Sequence, residues 1–318
     1  MSLVGQVASS SNTPRTMAQP LIIADRLSKR FGQVRAVTDL TLEVRAGEIV
    51  GFLGPNGAGK TTTIRLLMGF ISPSSGNCSV LGGSLRSEPR LRRRVGYLPG
   101  DFRMDPAMTG RDLFNWFARL RSSIDRARIK ELTERLQLDP TRRYGALSKG
   151  NRQKVGIIQA FMHHPEVLLL DEPTTGLDPL IQRQVFQLVR EAVGHGAAVL
   201  FSSHVLPEVE RLATRVAIIR GGRLVTSSTV DELLDHARHR LELRFAEPVP
   251  HDLFKDVSGV VAAEVDGKTV VITLDGPVGP AIRAAASNGE LVRVSPASDE
   301  LEDLFIKLYD GSTEGHRA

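Results

Sequence analysis

A glycine-rich turn between an apolar run and a helical pattern constrains this chain more than any other segment. The run "EIVGFLG" (Glu48–Gly54) predicts a buried strand, and a helix is predicted from Lys60. Gly54, Gly59 and Lys60 fit the phosphate-loop pattern Gly-x4-Gly-Lys-Thr. Such a loop directs backbone N–H groups and a helix N-terminus at phosphate groups. We therefore expect an α/β fold that binds a nucleotide beyond the end of a strand.

The residues of this turn have specific expected contacts. Lys60 is expected to meet the β- and γ-phosphates, and the Thr61 hydroxyl to bind magnesium. A chance glycine-rich turn is the alternative, and the strand and helix around the motif argue against it. The candidate nucleotide-binding residues of the turn are Gly54, Pro55, Asn56, Gly57, Ala58, Gly59, Lys60, Thr61 and Thr62.

A pair of acids follows a second apolar run, "EVLLLD" (Glu166–Asp171). Ligands of parallel sheets lie beyond the carboxyl ends of the strands, so Asp171 is predicted to belong to the magnesium shell. Phosphoryl transfer to water depends on positioning, and Glu172 is predicted to orient the attacking water. A helix cap formed by Asp-Glu-Pro is the structural alternative.

Apolar runs alternate with helical patterns over residues 21–227, which predicts a P-loop NTPase core with a largely parallel sheet. "AAVLFSSH" (Ala197–His204) and "RVAIIRGGRLV" (Arg215–Val225) predict further strands. "LIIADRLSKRFG" and "TDLTLEVRAGE" alternate, which predicts a small antiparallel β-subdomain. An inserted helical subdomain is predicted at about 104–150 from two apolar stripes: Leu113, Phe114, Phe117 and Leu120, then Ile129, Leu132 and Leu136.

The two ends of the chain differ from this core. Residues 1–20 are Ser-rich without the apolar core of a signal peptide, so we expect a disordered leader. Residues 228–318 predict a small accessory α+β domain. Its predicted strands are "RLELRF", "VVAAEV", "TVVITL" and "LVRVS", and its predicted helices are "PAIRAAAS" and the amphipathic "DELEDLFIKLY".

Composition narrows the class of protein. The chain has 318 residues, 41% hydrophobic and 24% charged, which is typical of a globular protein. No apolar stretch approaches the roughly 18 residues that cross a bilayer. Cys78 is the single cysteine, which fits a reducing compartment and a cytosolic location.

Arginine clusters account for part of the net charge of +5. They lie in "RLRRRVG" (Arg90, Arg92, Arg93 and Arg94) and at Arg142–Arg143. Such clusters can contact nucleic acid or anionic lipid headgroups. No aromatic residues interleave with them in the sequence, so a solvated face is the favoured interpretation.

The stretch "LSKGNRQKVG" (Leu147–Gly156) combines a good N-cap, Ser148, with cations in the first helical turns. Lys149, Arg152 and Lys154 lie where the helix dipole disfavours positive charge. One explanation is an anion that arrives from elsewhere. A Ser-capped helix with incidental surface lysines is the alternative.

The order of these motifs over Leu21–Val225 resembles the nucleotide-binding domain of ATP-binding cassette (ABC) proteins. "LSKGN" takes the place of the family signature, usually LSGGQ. The resemblance implies a head-to-tail dimer in which each ATP lies between one phosphate loop and the other copy's signature. Ser148, Lys149 and Gly150 would then face the ATP held by the partner's Lys60.

Other site residues are assigned by the same resemblance. Phe31 would stack on adenine, Asp178 in "TTGLDP" would cross the dimer interface, and His204 would contact the γ-phosphate and help arrange the water. A core phenylalanine and a structural strand-end histidine are the ordinary alternatives for Phe31 and His204.

Two departures from the family pattern point to one branch. The usual Gln after "GYLP" is replaced by Gly100, followed by Asp101, which reaches the metal with a shorter side chain or leaves that contact absent. The signature carries Lys149 and Asn151. "YLPGD" and "LSKG" resemble the bacterial type-two exporter branch, which includes doxorubicin and tetronasin exporters. The C-terminal domain that ends in "LEDLFIKLY" is similar to an extension that those subunits carry.

The resemblance implies an ATPase subunit that binds ATP and magnesium and drives export of a drug, an antibiotic or a lipid-like substrate. A separate membrane permease would dock near Gly100–Asp101, which places the subunit at the cytoplasmic face of the membrane. No nucleic acid partner is expected. The alternatives are an importer ATPase and a soluble ABC ATPase acting on nucleic acid or ribosomes, which only the basic charge supports.

Overall fold

The computed structural model describes residues 19–121, 125–235 and 239–297. Residues 1–18 of the predicted leader and the predicted segment "DELEDLFIKLY" lie outside these ranges. None of the described helices is long and apolar enough to cross a membrane.

The elements alternate along the chain, as the sequence predicts. The strands are β1 (Pro20–Phe31), β2 (Val34–Arg45), β3 (Ile49–Leu53), β4 (Ser75–Val80), β5 (Val95–Leu98), β6 (Val167–Asp171), β7 (Ala198–Ser203), β8 (Arg215–Arg220), β9 (Arg223–Thr229), β10 (His239–Phe245), β11 (Val260–Asp266), β12 (Thr269–Leu274) and β13 (Leu291–Pro296). The α-helices are α1 (Lys60–Leu67), α2 (Gly110–Arg121), α3 (Arg126–Arg135), α4 (Lys149–Phe161), α5 (Pro179–Gly194), α6 (Leu206–Leu212), α7 (Val230–Asp235) and α8 (Gly279–Asn288). Short 3-10 helices span Pro89–Arg94 and Tyr144–Ala146.

A six-stranded sheet, in the order β5-β6-β7-β3-β8-β9, forms the centre of the fold. Strands β3, β6 and β7 are buried along their whole length. They are parallel neighbours, with Leu53 opposite Ser203 and Asp171 opposite Ser202. Because parallel strands end at the same edge, this pairing brings the phosphate loop and the acidic pair together.

The expectation of one strand at Arg215–Val225 is wrong. The segment is a hairpin of β8 and β9, which pair antiparallel. Gly221 and Gly222 reverse the chain with φ angles of 52° and 78°, a conformation that favours glycine. Strand β9 continues to Thr229, two residues beyond the predicted boundary at 227.

The predicted antiparallel subdomain is a three-stranded sheet in the order β2-β1-β4. The sequence predicts β1 and β2 by their alternation. Strand β4, with the sequence "SGNCSV", was not predicted, because it is short and its residues have weak β-propensity.

Helices α2 and α3 occupy the predicted helical subdomain. Leu113, Phe114, Leu132 and Leu136 are buried as their periodicity predicts. Leu120 is 49% exposed, so its assignment to the core stripe is wrong. Phe117 still packs against the main core, and Leu120 lies beyond that contact near the end of α2.

The C-terminal strands form a separate four-stranded antiparallel sheet in the order β11-β12-β10-β13. The predicted strands and the predicted helix α8 are present. Residues of β10, β12 and α8 form a hydrophobic cluster of their own, which includes Phe245, Ile272 and Ala281.

Candidate active site

The phosphate loop joins β3 to α1 and approaches neighbouring backbone closely. A Cβ added at Gly54 would lie 2.4 Å from the Ile219 carbonyl oxygen. Gly59 has a φ of 111°, and a Cβ there would lie 2.5 Å from the Ala36 oxygen. Only glycine fits both positions. Helix α1 begins without a side-chain cap and without an acid in its first turn, which leaves its N-terminus suited to an anion.

Lys60 is buried at the centre of the loop, with 5% of its surface exposed. Its Nζ donates to the carbonyl oxygens of Gly54 at 2.5 Å and Pro55 at 3.0 Å. Burial lowers the pKa of Lys60, and the nearby charges of Glu172 and Asp171 oppose that shift. An ammonium has three hydrogens, so one donor remains for an anion in the loop.

Asp171 ends β6 and is 1% exposed. Its Oδ1 accepts a hydrogen bond from Ser202 Oγ at 2.5 Å, whereas Oδ2 is buried and has no hydrogen-bond partner among the described residues. A buried carboxylate oxygen is costly to leave unpaired. Thr61, Asp171 and Glu172 line one cavity, and this set of oxygens fits the ligands that magnesium prefers.

Glu172 adopts a left-handed backbone conformation, with a φ of 49°. Such a conformation is unfavourable for a residue with a side chain and persists where its surroundings hold it. The Glu172 N–H donates to Ser202 Oγ at 3.0 Å, and its carbonyl oxygen accepts from Gln153 Nε2 at 3.1 Å. Gln153 also donates to the Pro173 oxygen at 3.1 Å.

The Glu172 carboxylate lies against His204. Glu172 Oε1 is 3.0 Å from His204 Nδ1, and Oε2 accepts from Thr175 Oγ1 at 3.2 Å. The His204 side chain is 45% exposed and that of Glu172 is 24% exposed. The fold therefore brings together the two side chains that the sequence predicts to arrange the attacking water, at the edge of the cavity.

A second open cleft extends from Glu172 and the phosphate loop to the start of β2. Its lining is Val34, Arg35, Ala36, Asn56, Gly57, Gly59, Lys60, Thr61, Thr62 and Glu172. Pro55 and Ala58 belong to the same loop outside that lining.

Phe31 ends β1, opposite Val34 of this cleft. Its ring is 49% exposed, so it is not part of the core. Lys29 Nζ lies 4.9 Å from the ring centre. An exposed aromatic ring beside a phosphate site is suited to stacking on a base.

The signature segment begins α4 with Ser148 as its N-cap. Ser148 Oγ accepts from the Asn151 N–H at 3.3 Å, and both Ser148 and Lys149 are exposed. A Cβ added at Gly150 would lie 2.7 Å from the Gly176 oxygen, so the signature packs tightly on the "TTGLDP" loop. Residues 148–150 do not line either of the cavities beside Lys60 described above.

The structure leaves only one of the three cations at the start of α4 exposed, so the expectation that all three face an anion is wrong for Arg152 and Lys154. Arg152 donates to the carbonyl oxygens of Tyr144 at 3.3 Å and Gly145 at 3.1 Å. Lys154 is buried, with 9% exposure. Lys149 is the exposed cation of the three, because the others turn toward the protein.

Asp178 caps α5, and its Oδ1 accepts from the N–H groups of Leu180 at 3.1 Å and Ile181 at 3.0 Å. It is exposed beside the signature loop. The cap fixes the conformation of the "TTGLDP" loop at Asp178, the residue that is predicted to cross the dimer interface.

Gly100 lines the cavity that contains Thr61, Asp171 and Glu172. A Cβ there would be 3.2 Å from Asp171 Oδ2, the unpaired oxygen. Asp101 lines the same cavity, but its carboxylate pairs with Arg103 at 2.6 Å. The hydrogen bond from Arg103 lowers the pKa of Asp101. The Asp101 carboxylate is thus engaged with Arg103.

Two residues of the site were missed from the sequence. Ser202 Oγ donates to Asp171 and accepts from the Glu172 N–H. Its position in "LFSSH" indicates this role only once β7 is known to pair with β6, because that pairing places Ser202 opposite Asp171. Gln153 contacts the Glu172 loop from a different helix, and the sequence carries no signal for that contact.

The parallel sheet, the glycine loop and the acidic pair define the class of P-loop NTPases. The family model described as "ABC transporter" matches residues 37–175. The bacitracin transport ATP-binding protein BcrA of Bacillus licheniformis is 33% identical over 301 residues, covering 91% of this chain and 97% of that protein. The chain belongs to the family of ABC transporter ATP-binding proteins.

Two further similarities agree with this family. The daunorubicin resistance ATP-binding protein DrrA3 of Streptomyces coeruleorubidus is 39% identical over 223 residues, covering 68% of this chain and 71% of that protein. The solved structure of an ATP-binding subunit of an ABC transporter is 30% identical, with a TM-score of 0.63, covering 67% of this chain and 91% of that one. The predictions of the fold class, the exporter branch and an ATP-hydrolysing subunit are confirmed.

Proposed function

We propose that this chain powers a bacterial exporter by closing, as a head-to-tail pair, around two ATP molecules. The observation that carries the proposal is the Glu172–His204 pair, which stands at 3.0 Å beside the buried Asp171 and the phosphate loop. The residues that would complete the pocket, Ser148 to Gly150, lie apart from that cleft and exposed or half-exposed. A second copy supplies them.

Within one copy, the phosphate loop binds the triphosphate and Phe31 stacks on the adenine. The free donor of Lys60 and the open N-terminus of α1 meet the β- and γ-phosphates. Thr62 lines the cleft next to Thr61 and faces the same phosphates.

Magnesium fits the cavity at the end of β6. Thr61 and Asp171 would hold it, because Asp171 Oδ2 is buried without a partner among the described residues and Thr61 lines the same cavity. The ion supplies positive charge that offsets the charge of the phosphates. Ser202 keeps the Asp171 carboxylate in place through Oδ1.

Hydrolysis depends on the orientation of one water molecule. Glu172 accepts a hydrogen bond from that water and directs it at the γ-phosphate, while His204 contacts the γ-phosphate and holds Glu172. The signature of the partner, through Ser148, Lys149 and the backbone at Gly150, grips the same phosphate, and Asp178 lies across the interface. Neither copy alone completes the pocket.

The motion of the pair is transmitted to a separate membrane permease. We place the docking contact at Gly100–Asp101, which is exposed and adjoins both the metal cavity and the helical subdomain. The relatives named for bacitracin transport and daunorubicin resistance support an antibiotic or a similar drug as the exported substrate. The subunit then lies at the cytoplasmic face of the membrane, held by the permease.

The proposed domain boundaries follow the separation between the central sheet and the C-terminal sheet. We propose a nucleotide-binding domain that runs from residue 21 to the end of β9 at Thr229, with the helical subdomain at about 104–150, followed by the accessory domain.

The test is Glu172→Gln, which removes the charge that orients the water and keeps the shape of the side chain. The variant should bind ATP, lose hydrolysis and accumulate a closed dimer with magnesium and ATP, measured by size-exclusion chromatography. Glu166→Gln is the matched control, because Glu166 precedes the other end of β6 and pairs with Arg94. A monomeric Glu172→Gln variant with ATP bound, even with its permease present, would contradict the proposal.

A further inference from the structure

The basic segment at residues 86–94 has no part in the ATPase mechanism. Arg86, Arg90 and Arg93 are exposed, and no ion pair recorded among the described residues includes them. The segment contains a single carboxylate, Glu88, and Arg94 is engaged with Glu166 at 2.5 Å. Three guanidinium groups therefore face solvent within eight residues of chain.

The 3-10 helix Pro89–Arg94 aligns two of these cations. In a 3-10 helix, side chains three residues apart lie on one edge, so Arg90 and Arg93 share an edge. The helix leads directly into β5, which fixes it to the rim of the central sheet.

An aromatic residue that is distant in sequence completes this surface. Phe70 follows α1 and is 49% exposed. The Arg92 guanidinium carbon lies 5.8 Å from its ring centre, and Tyr97 contacts the ring edge-on at 5.4 Å. In the sequence, the lack of aromatic residues among these arginines favoured a solvated face. The fold brings Phe70 next to Arg92, so that argument against a binding surface no longer applies.

The distance of this surface from the membrane partner is argued from the proposed function, in which a permease docks at Gly100–Asp101. Strand β5 has four residues and spans about 13 Å, and Gly100 lies two residues beyond its end. The basic helix is therefore one short strand away from the corner where the permease docks. The proposed docking contact therefore brings the basic helix within one strand length of a protein that is embedded in the bilayer.

We propose that the basic–aromatic surface, formed by Phe70, Arg86, Arg90, Arg92 and Arg93, binds anionic phospholipid headgroups. Cations attract the phosphates of an anionic leaflet, and an exposed aromatic ring settles at the interface between headgroups and acyl chains. Arg90, Arg92 and Arg93 stand on an exposed 3-10 helix of two turns, and Arg86 precedes it. A planar array of phosphates matches such a surface without a shaped groove, which favours lipid over an acidic protein partner.

The experiment is co-sedimentation of the purified full chain with vesicles of phosphatidylcholine, with or without phosphatidylglycerol. Each cation near an anionic surface contributes roughly 1 kcal/mol, so the double variant R90Q/R93Q should bind phosphatidylglycerol vesicles about 30-fold more weakly. R244Q/R293Q is the matched control, because it removes the same charge from an exposed arginine pair on the separate C-terminal sheet, where Arg244 of β10 lies opposite Arg293 of β13, and it should bind as the unaltered protein does. Added salt should weaken binding of the unaltered protein.

Three outcomes would overturn the proposal. They are equal binding of R90Q/R93Q and the unaltered protein, equal binding to vesicles without phosphatidylglycerol, and a defect of R90Q/R93Q confined to membranes that contain the permease. The last outcome would assign the arginines to the protein partner. ATP hydrolysis by R90Q/R93Q, measured in parallel, should be unchanged. A failure of the lipid-binding proposal can therefore be distinguished from a failure of the proposed ATPase function, which Glu172→Gln tests.

Discussion

Gln153 supports the loop in which Glu172 adopts an unfavourable backbone conformation, and its removal is the sharpest test of how the site is built. Its side chain is 7% exposed and donates to the carbonyl oxygens of Glu172 and Pro173, both at 3.1 Å. The left-handed conformation of Glu172 costs roughly 1–3 kcal/mol. Two hydrogen bonds of about 1 kcal/mol each are comparable with that cost. Without them, the conformation of Glu172 is no longer strongly favoured.

Gln153→Ala should therefore lower the free energy of unfolding by about 2–3 kcal/mol, which includes the lost packing of the side chain. The kcat for ATP should fall roughly 10- to 100-fold, because a catalytic group displaced by about 1 Å loses that much. The KM should change little, since Gln153 is not in the nucleotide cleft. Urea unfolding and steady-state phosphate release measure the two effects.

Gln159→Ala is the control, because Gln159 is 6% exposed and lies six residues further along α4. It should lose stability through packing and retain kcat. A Gln153→Ala variant with normal kcat would refute the reasoning, whether or not its stability falls, because the Glu172 carboxylate would then need no such support.

Two substitutions in the cleft carry further predictions. Lys60→Ala should weaken ATP binding at least tenfold in titration calorimetry, because it removes a charge-assisted hydrogen bond worth roughly 1.5–3 kcal/mol; unchanged affinity would contradict the role of Lys60. Gly100→Gln, which restores the usual family residue, should lower kcat and weaken Mn²⁺ binding measured by electron paramagnetic resonance, since its Cβ would lie 3.2 Å from Asp171 Oδ2. A rise in kcat would contradict this expectation and show that the site accommodates the glutamine side chain and gains activity from its amide.

The sequence by itself determined the class of fold and the chemistry of the cleft. The phosphate loop requires glycine where it approaches other backbone closely, as at Gly54 and Gly59. Both glycines lie within one short motif, so the requirement is visible in the sequence. The apolar runs of β3, β6 and β7 are buried on both faces, so their hydrophobicity is continuous and readable. Local requirements of this kind leave local signals.

Only the tertiary structure decided contacts between segments far apart in the chain. The support of Glu172 by Gln153 and the approach of Gly100 to Asp171 each join segments without a common pattern. The placement of Phe70 beneath Arg92 is of the same kind. Side-chain direction depends on which neighbour is packed alongside, and periodicity within one element does not encode that neighbour.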